Sequence, residues 1–455
     1  MKDILIRNGR IVDPSQGLDG PGDLLVRDGR VAWLGAGRPD DGQADAAGAA
    51  EFDASGLVVA PGFVDLHCHL REPGFEEKET IASGSRAAVA GGFTTICCMP
   101  NTNPAIDSAA VVEYVQRAAH AVGAARVLCI GAVSKGRAGK ELAEMAELAA
   151  AGVAGFSDDG APVAGSGLMR NALAYSRMLG RPIIDHCEDP ELVKGAQMNE
   201  GPVATRLGLR GAPTVSEDIL VARDVALAEL TGGWVHIAHL SSRGAVEIVR
   251  AAKARGVRVT AEVTPHHLVM TDELVLGQWP TFPGSTATHL PYDTNTKVNP
   301  PLRSRADVAA LIEGLRDGTI DAIATDHAPH HQVDKVCEYD FAAPGLSGLE
   351  TALPALLVLV EEGLLALAEV VRHLTVGPAA ILGREVGTLR PGAPADVVVF
   401  DPARAWTVTP EALLSKGKNT PFLGETVRGK VVLTLREGHA VHGGEQVGRP
   451  LAVES

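Results

Sequence analysis

Eight short apolar runs recur between residues 58 and 324, separated by longer segments rich in Ala, Leu and Glu, and this alternation constrains the fold more than any other feature. The runs cover residues 58–64, 93–99, 126–130, 152–156, 182–186, 234–238, 257–263 and 320–324. Short runs without polar alternation read as strands buried on both faces, as in a parallel sheet covered by helices. Segments 141–151, 216–231 and 244–255 have helical character between them. Strand and helix alternating in this way predict a (β/α)8 barrel. A doubly wound sheet would call for a Gly-rich dinucleotide turn after the first strand, and none is there.

The ends of the chain are built differently. Asp3-Ile-Leu-Ile-Arg-Asn-Gly-Arg-Ile-Val is nearly repeated twenty positions later as Asp23-Leu-Leu-Val-Arg-Asp-Gly-Arg-Val-Ala. Asn-Gly and Asp-Gly between apolar runs are favoured in tight hairpin turns, so both are read as β-hairpins. A similar β pattern returns in residues 395–400 and 427–439. The sequence therefore predicts a small β-sandwich domain assembled from both termini, residues 1–57 with 386–455, around a catalytic barrel at 58–385.

Composition narrows the function. Forty-one basic and 56 acidic side chains give a formal charge of −15, which argues against a nucleic-acid binder and for small-molecule chemistry. The N-terminus reaches charged residues before any signal-like apolar stretch, and Pro354 with Glu361-Glu362 interrupts the Leu/Val-rich stretch 351–371. A cytoplasmic protein without a membrane span is expected. Six cysteines lack CxxC spacing and are read as buried thiols rather than as disulfides or a zinc knot.

Ionisable residues fall at the C-terminal ends of the expected strands, the face on which barrel enzymes build their sites. His67-Cys68-His69 follows the first strand, Asp158-Asp159 the fourth and Asp326 the eighth, while His186 and His239 end the fifth and sixth. Singly, each has an ordinary structural reading: an interior histidine, or an aspartate capping a helix. Together, four imidazoles and two carboxylates suit one or two divalent cations of the zinc class.

These residues sit in longer motifs. Pro61-Gly-Phe-Val-Asp-Leu-His67-Cys-His69-Leu-Arg71-Glu-Pro-Gly74, Cys98-Met-Pro-Asn101-Thr and Phe156-Ser-Asp-Asp159-Gly resemble the signature of dihydroorotases in the amidohydrolase superfamily. So do Val263-Thr-Pro-His-His-Leu, Lys297-Val-Asn299-Pro-Pro-Leu-Arg303, Ala324-Thr-Asp326-His-Ala-Pro-His330, Pro344-Gly-Leu-Ser-Gly-Leu-Glu350 and Gly392-Ala-Pro-Ala-Asp396-Val-Val-Val-Phe. The resemblance runs from about residue 1 to 440 and is to the bacterial class I type, not to the class that uses a carboxylated lysine.

The resemblance implies two zinc ions per subunit, one held by His67, His69 and Asp326, a second by His186 and His239, with Asp159 between them. No lysine occupies the strand-four position, so the second ion rests on Asp159. It further implies a metal-bridging hydroxide as nucleophile and Asp326 as general acid and base, interconverting N-carbamoyl-L-aspartate and dihydroorotate in de novo pyrimidine biosynthesis. His69, Arg71, Asn101, Asn299, His330 and the backbone at Pro344 and Gly345 would contact the substrate. A homodimer is expected, and association with aspartate carbamoyltransferase is left open. The alternatives are another cyclic amidase, an allantoinase or hydantoinase, and a non-catalytic subunit docking aspartate carbamoyltransferase. Residues 277–292 read as an insertion near the barrel mouth, a lid or a subunit contact, and His266, His267 and His289 as structural or loop residues.

Overall fold

The computed structural model describes residues 3–37, 46, 48–278 and 289–447. Eight parallel strands neighbour one another in chain order: Phe63–Cys68, Phe93–Cys98, Arg126–Gly131, Gly155–Phe156, Ile183–Asp185, Val235–Ile237, Val259–Val263 and Ala322–Ile323. The last returns to the first just past their ends, where Cys68 bridges His327 and His69 N–H donates to His327 O at 2.8 Å. This nearly closes the barrel.

Alternation along the strands decides what enters its interior. Val235 and Ile237, and Val259, Ala261 and Val263, pack in the main hydrophobic core with helix residues such as Val246 and Val249. His236, Thr260 and Glu262 take the opposite face and hydrogen-bond to one another inside the barrel. Helices Val215–Thr231 and Arg243–Ala254 agree with the expected segments, whereas the one expected at 141–151 spans only Met145–Ala150, because Leu142 bridges Ser134 instead.

A second sheet joins both ends of the chain. Val397–Thr407 pairs with Thr426–Arg436 and with Val58–Pro61, which continues through Ile4–Asp13 to Leu18–Arg27 and Arg30–Gly35. Its core draws on both ends, including Ile6, Leu24, Val26, Val397, Val399 and Leu433.

Two expectations are corrected. The apolar run 58–64 is not one barrel strand: Val58–Pro61 lies in the terminal sheet and the barrel begins at Phe63. Gly62 separates them, and a Cβ there would fall 2.4 Å from the Thr94 side chain. The run is apolar throughout because both pieces are buried, so hydropathy alone does not mark the change. Of the two Gly-containing repeats, only Asp28-Gly29 is a tight turn, with φ of 49° and 75°. Asn8-Gly9 lies inside Ile4–Asp13 as a bulge, where the register shifts between Ile6 and Gly9 and Asn8 N–H donates to Asp23 at 2.7 Å.

Five cysteines are buried thiols as expected, but Cys337 is half-buried; none of the six forms a disulfide. Residues 279–288 of the expected insertion lie outside the described residues. Among the described residues, no helix is long and apolar enough to cross a membrane.

Candidate active site

The barrel closure sets the centre of the site. His67 and His69 flank Cys68 at the end of the first strand, and their rings lie 5.3 Å apart. Around them are Asp159, three residues beyond the fourth strand, His186 and His239 after the fifth and sixth, and Asp326 after the eighth, all at most 6% exposed. Asp159 Oδ1 lies 3.4 Å from His67 Nε2 and 3.7 Å from both His186 Nδ1 and His239 Nε2. Its other oxygen is 3.5 Å from His69 Nε2, and Asp326 Oδ1 is 3.0 Å from that nitrogen and 3.5 Å from His67 Nε2. Asp158 turns away and is held by the backbone N–H groups of Val133 and Ser134, each at 3.0 Å.

Backbone strain is concentrated here. Arg71, His239 and Asp326 have φ of 62°, 32° and 43°, a region costly for residues with a Cβ. Arg137, with φ of 55°, donates from its guanidinium to the carbonyls of both Asp158 and Asp159.

Proton accounting shows what the cluster needs. The Asn101 side-chain oxygen lies 2.8 Å from His69 Nδ1, and a Glu262 oxygen lies 2.9 Å from His67 Nδ1. Both are acceptors, so each imidazole carries its proton on Nδ1 and turns an Nε2 lone pair to the carboxylates. His67 Nε2 and Asp159 Oδ1 are fully buried with no hydrogen-bond partner. Lone pairs converging in a buried place call for a cation between them.

The electrostatics show the same demand for positive charge at this point, which a metal would meet in place of a second proton on the histidines. Burial would lower the His67 pKa, but Asp159, Glu262 and Asp326 raise it well above its ordinary value. Burial likewise opposes charge on His186, yet Asp159 and Glu188 bring it up to about 10. Burial would raise the carboxyl of Asp326, but the close approach of His69 and the positive character of His67, His69 and His239 hold it well below the usual range. His67, His69 and Asp326 form one group able to hold a metal, and His67, Asp159 and His239 another. A third, Asp185, Cys187 and Asp224, already has Arg223, whose Nε donates to Asp224 at 2.8 Å.

The expected substrate contacts line the mouth. Arg71 Nε donates to Pro329 O at 3.1 Å, and among the described residues no carboxylate pairs with it. Burial lowers its pKa to about 10, which leaves it charged at neutral pH. His330 is driven to about 3 by burial together with Arg71, Lys335 and Lys78, and as a neutral ring it donates from Nε2 to Pro344 O at 2.9 Å. Arg71 Nη2 lies 3.4 Å from that donor nitrogen, so its N–H groups there stay available to a ligand. Asn299 Nδ2 reaches Glu188 at 2.9 Å and His186 Nε2 at 3.1 Å. Gly345 is buried, whereas Pro344 is exposed.

Several residues escape sequence reasoning. Glu262 and Glu188 stand behind His67 and His186, and Arg137 braces Asp159; the available signal was a carboxylate inside an otherwise apolar strand at 262. Asn419, far along the chain, binds the loops of His330 and Gly345 through both ends of its amide. Thr264 caps the short helix Pro265–Val269 by accepting from His267 N–H, and His267 Nε2 reaches Pro300 O at 3.0 Å, while among the described residues His266 Nε2 is buried without a partner.

Comparisons with known proteins place the chain. A family model described as dihydro-orotase-like matches residues 56–245. A dihydroorotase of Syntrophus aciditrophicus (strain SB) is 51% identical over 442 residues, covering 96% of this chain and 99% of that protein. One from Anaeromyxobacter sp. (strain K) is 52% identical over 445 residues, covering 97% and 98%. Among solved structures, the L-hydantoinase (dihydropyrimidinase) from Arthrobacter aurescens matches with a TM-score of 0.82 at 26% identity, covering 97% of this chain and 96% of that one. A dihydropyrimidinase from Brevibacillus agri NCHU1002 matches with a TM-score of 0.79 at 22% identity, covering 98% and 96%, a likeness of fold alone.

Proposed function

The chain belongs to the dihydroorotase family of hydrolases acting on cyclic amides, and from that premise we propose that it is a zinc-dependent dihydroorotase interconverting N-carbamoyl-L-aspartate and dihydroorotate in pyrimidine biosynthesis. The observation that carries this reading is the convergence of histidine and carboxylate lone pairs from five strand ends on one buried point. His67, His69 and Asp326 would hold one zinc ion, His186 and His239 the second, and Asp159 would lie between them. When bound, the metals supply Lewis acidity toward water and the amide carbonyl.

The protein's own groups supply orientation and proton transfer. Asp326 Oδ1 is committed toward His69 and His67, while its second oxygen makes no hydrogen bond among the described residues. That oxygen takes a proton from the attacking water and returns it to the departing ring nitrogen. Arg71 presents the flat, two-pronged donor that fits the substrate carboxylate. Asn101 has its oxygen on His69, which leaves its NH2 for substrate, and neutral His330, Asn299 and the backbone at Pro344 and Gly345 complete the pocket.

The hydantoinase reading rests on structural likeness at 26% identity, against relatives named dihydroorotase at about 50%. A substrate panel separates them: dihydroorotate is hydrolysed, and allantoin and hydantoin are not. Turnover of either control in preference to dihydroorotate overturns the assignment. The cytoplasm as location, a homodimer and docking to aspartate carbamoyltransferase are further parts of this reading. Light scattering with and without the transcarbamoylase tests the assemblies.

A further inference from the structure

A chain of hydrogen bonds runs through the barrel interior beneath the site, and its direction can be fixed atom by atom. Trp234 Nε1 can only donate, and it meets Thr260 Oγ1 at 3.1 Å. Thr260 Oγ1 lies 2.9 Å from His236 Nδ1. A carboxylate oxygen only accepts, so His236 carries a proton on Nε2 and donates it to Glu262 Oε2 at 3.1 Å. The other Glu262 oxygen faces His67 Nδ1 at 2.9 Å. Each link satisfies the next, and the only atom at the end of the series left buried without a partner is His67 Nε2.

We infer that Glu262, locked by His236, is a positioning residue that fixes His67 as the Nδ1–H tautomer and aims its Nε2 lone pair at the metal. This rests on the zinc-holding reading above. Glu262 touches neither substrate nor metal in this scheme. It acts by making one ring orientation and one tautomer the satisfied state, since the Nε2–H tautomer would set a bare Nδ1, and a flipped ring a carbon, against a buried carboxylate. Of the two histidines at the end of the first strand, His69 has the neutral Asn101 oxygen behind it and His67 the charged brace.

The test is zinc affinity, measured on the full chain by competition with a chromophoric chelator, for wild type, Glu262→Gln and Glu262→Leu. Glutamine keeps one acceptor and leucine none. Zinc binding is expected to weaken about 10-fold in the first and about 100-fold in the second, the range seen when such outer partners are removed. Unchanged affinity in both variants, with wild type binding zinc, overturns the inference while leaving the proposed function standing. A wild type that binds no zinc removes the metal reading and this inference with it. A second measurement needs no variant at position 262: long-range 15N spectra of histidine in the zinc-loaded wild type, with His67 assigned from its loss in His67→Gln. The inference expects a protonated Nδ1 and a metal-bearing Nε2, and the reverse pattern overturns it.

Discussion

At Asp326 the backbone turns left-handed, with φ of 43°, at a residue with no need of that conformation for its own sake. Strain of this kind costs about 1–3 kcal/mol and persists where the surroundings fix it, here by drawing the carboxylate to His69. Asp326→Asn is expected to lower kcat by about 10²–10⁴ with an unchanged circular dichroism spectrum, the range for loss of a general acid or base. Activity near wild type would take Asp326 out of the mechanism. Arg71→Lys tests the flat donor: replacing a forked guanidinium by a single ammonium should raise KM for dihydroorotate about 10-fold, equivalent to about 1.4 kcal/mol, with kcat less affected. An equal loss in kcat would instead place Arg71 at the reacting atoms. At this scale much of the candidate site was legible, because His67 and His69 share a short motif and the other groups of the cluster follow apolar runs closely. Glu262 and His236 were not, because their role comes from contacts between strands, the decisive one joining Glu262 to His67, 195 positions away.

Elements explain where the sequence misleads. Asn8-Gly9 has turn composition, yet the chain continues straight because Asp23 on the neighbouring strand takes the extra N–H. The break at Gly62 is silent in hydropathy because a strand of each sheet is buried on either side of it. The loops around the mouth are held by distant groups, which no local pattern signals. Asn419 accepts from His330 N–H at 2.8 Å and donates to Ala328 O and Gly345 O at 3.1 and 3.0 Å. Asn419→Ala leaves these buried groups unpaired, and a loss of about 2–4 kcal/mol in unfolding free energy with a raised KM is expected. Unchanged denaturation and KM would deny it that role.

Lys335 joins the loops carrying Asn299 and Gly345, donating to Thr294 O at 3.0 Å and to Ala343 O at 2.6 Å. Burial depresses it to about 7, against about 10.4 in an unfolded chain, so between those values the unfolded chain binds the extra proton and stability rises with pH. Wild type should therefore gain stability relative to Lys335→Met as pH rises from about 7 toward 10, measured by urea unfolding. A constant difference would show that the amine keeps its ordinary pKa.

The whole molecule gathers negative charge at one buried point while carrying a formal charge of −15 overall. Zinc binding only the folded chain adds stability by mass action, about 2.7 kcal/mol when free zinc is 100 times its dissociation constant. Removing metal should lower Tm, and adding zinc should restore it; an unchanged Tm would mean that the cluster holds no metal in solution. The terminal sheet is bound to the barrel by Arg126, which reaches Asp396 at 2.8 Å and Glu437 at 2.7 Å, and by Asn419 from the same half of the chain. This junction was legible only as two β-rich ends around a different middle, since its ion pairs join residues hundreds of positions apart. The most direct measurement is hydrolysis of dihydroorotate by purified protein, zinc-loaded, chelator-treated and zinc-restored, beside an allantoin control. The account predicts turnover of dihydroorotate alone, lost with the metal and recovered on its return. Full activity in the metal-free protein, or none in the zinc-loaded one, would contradict it.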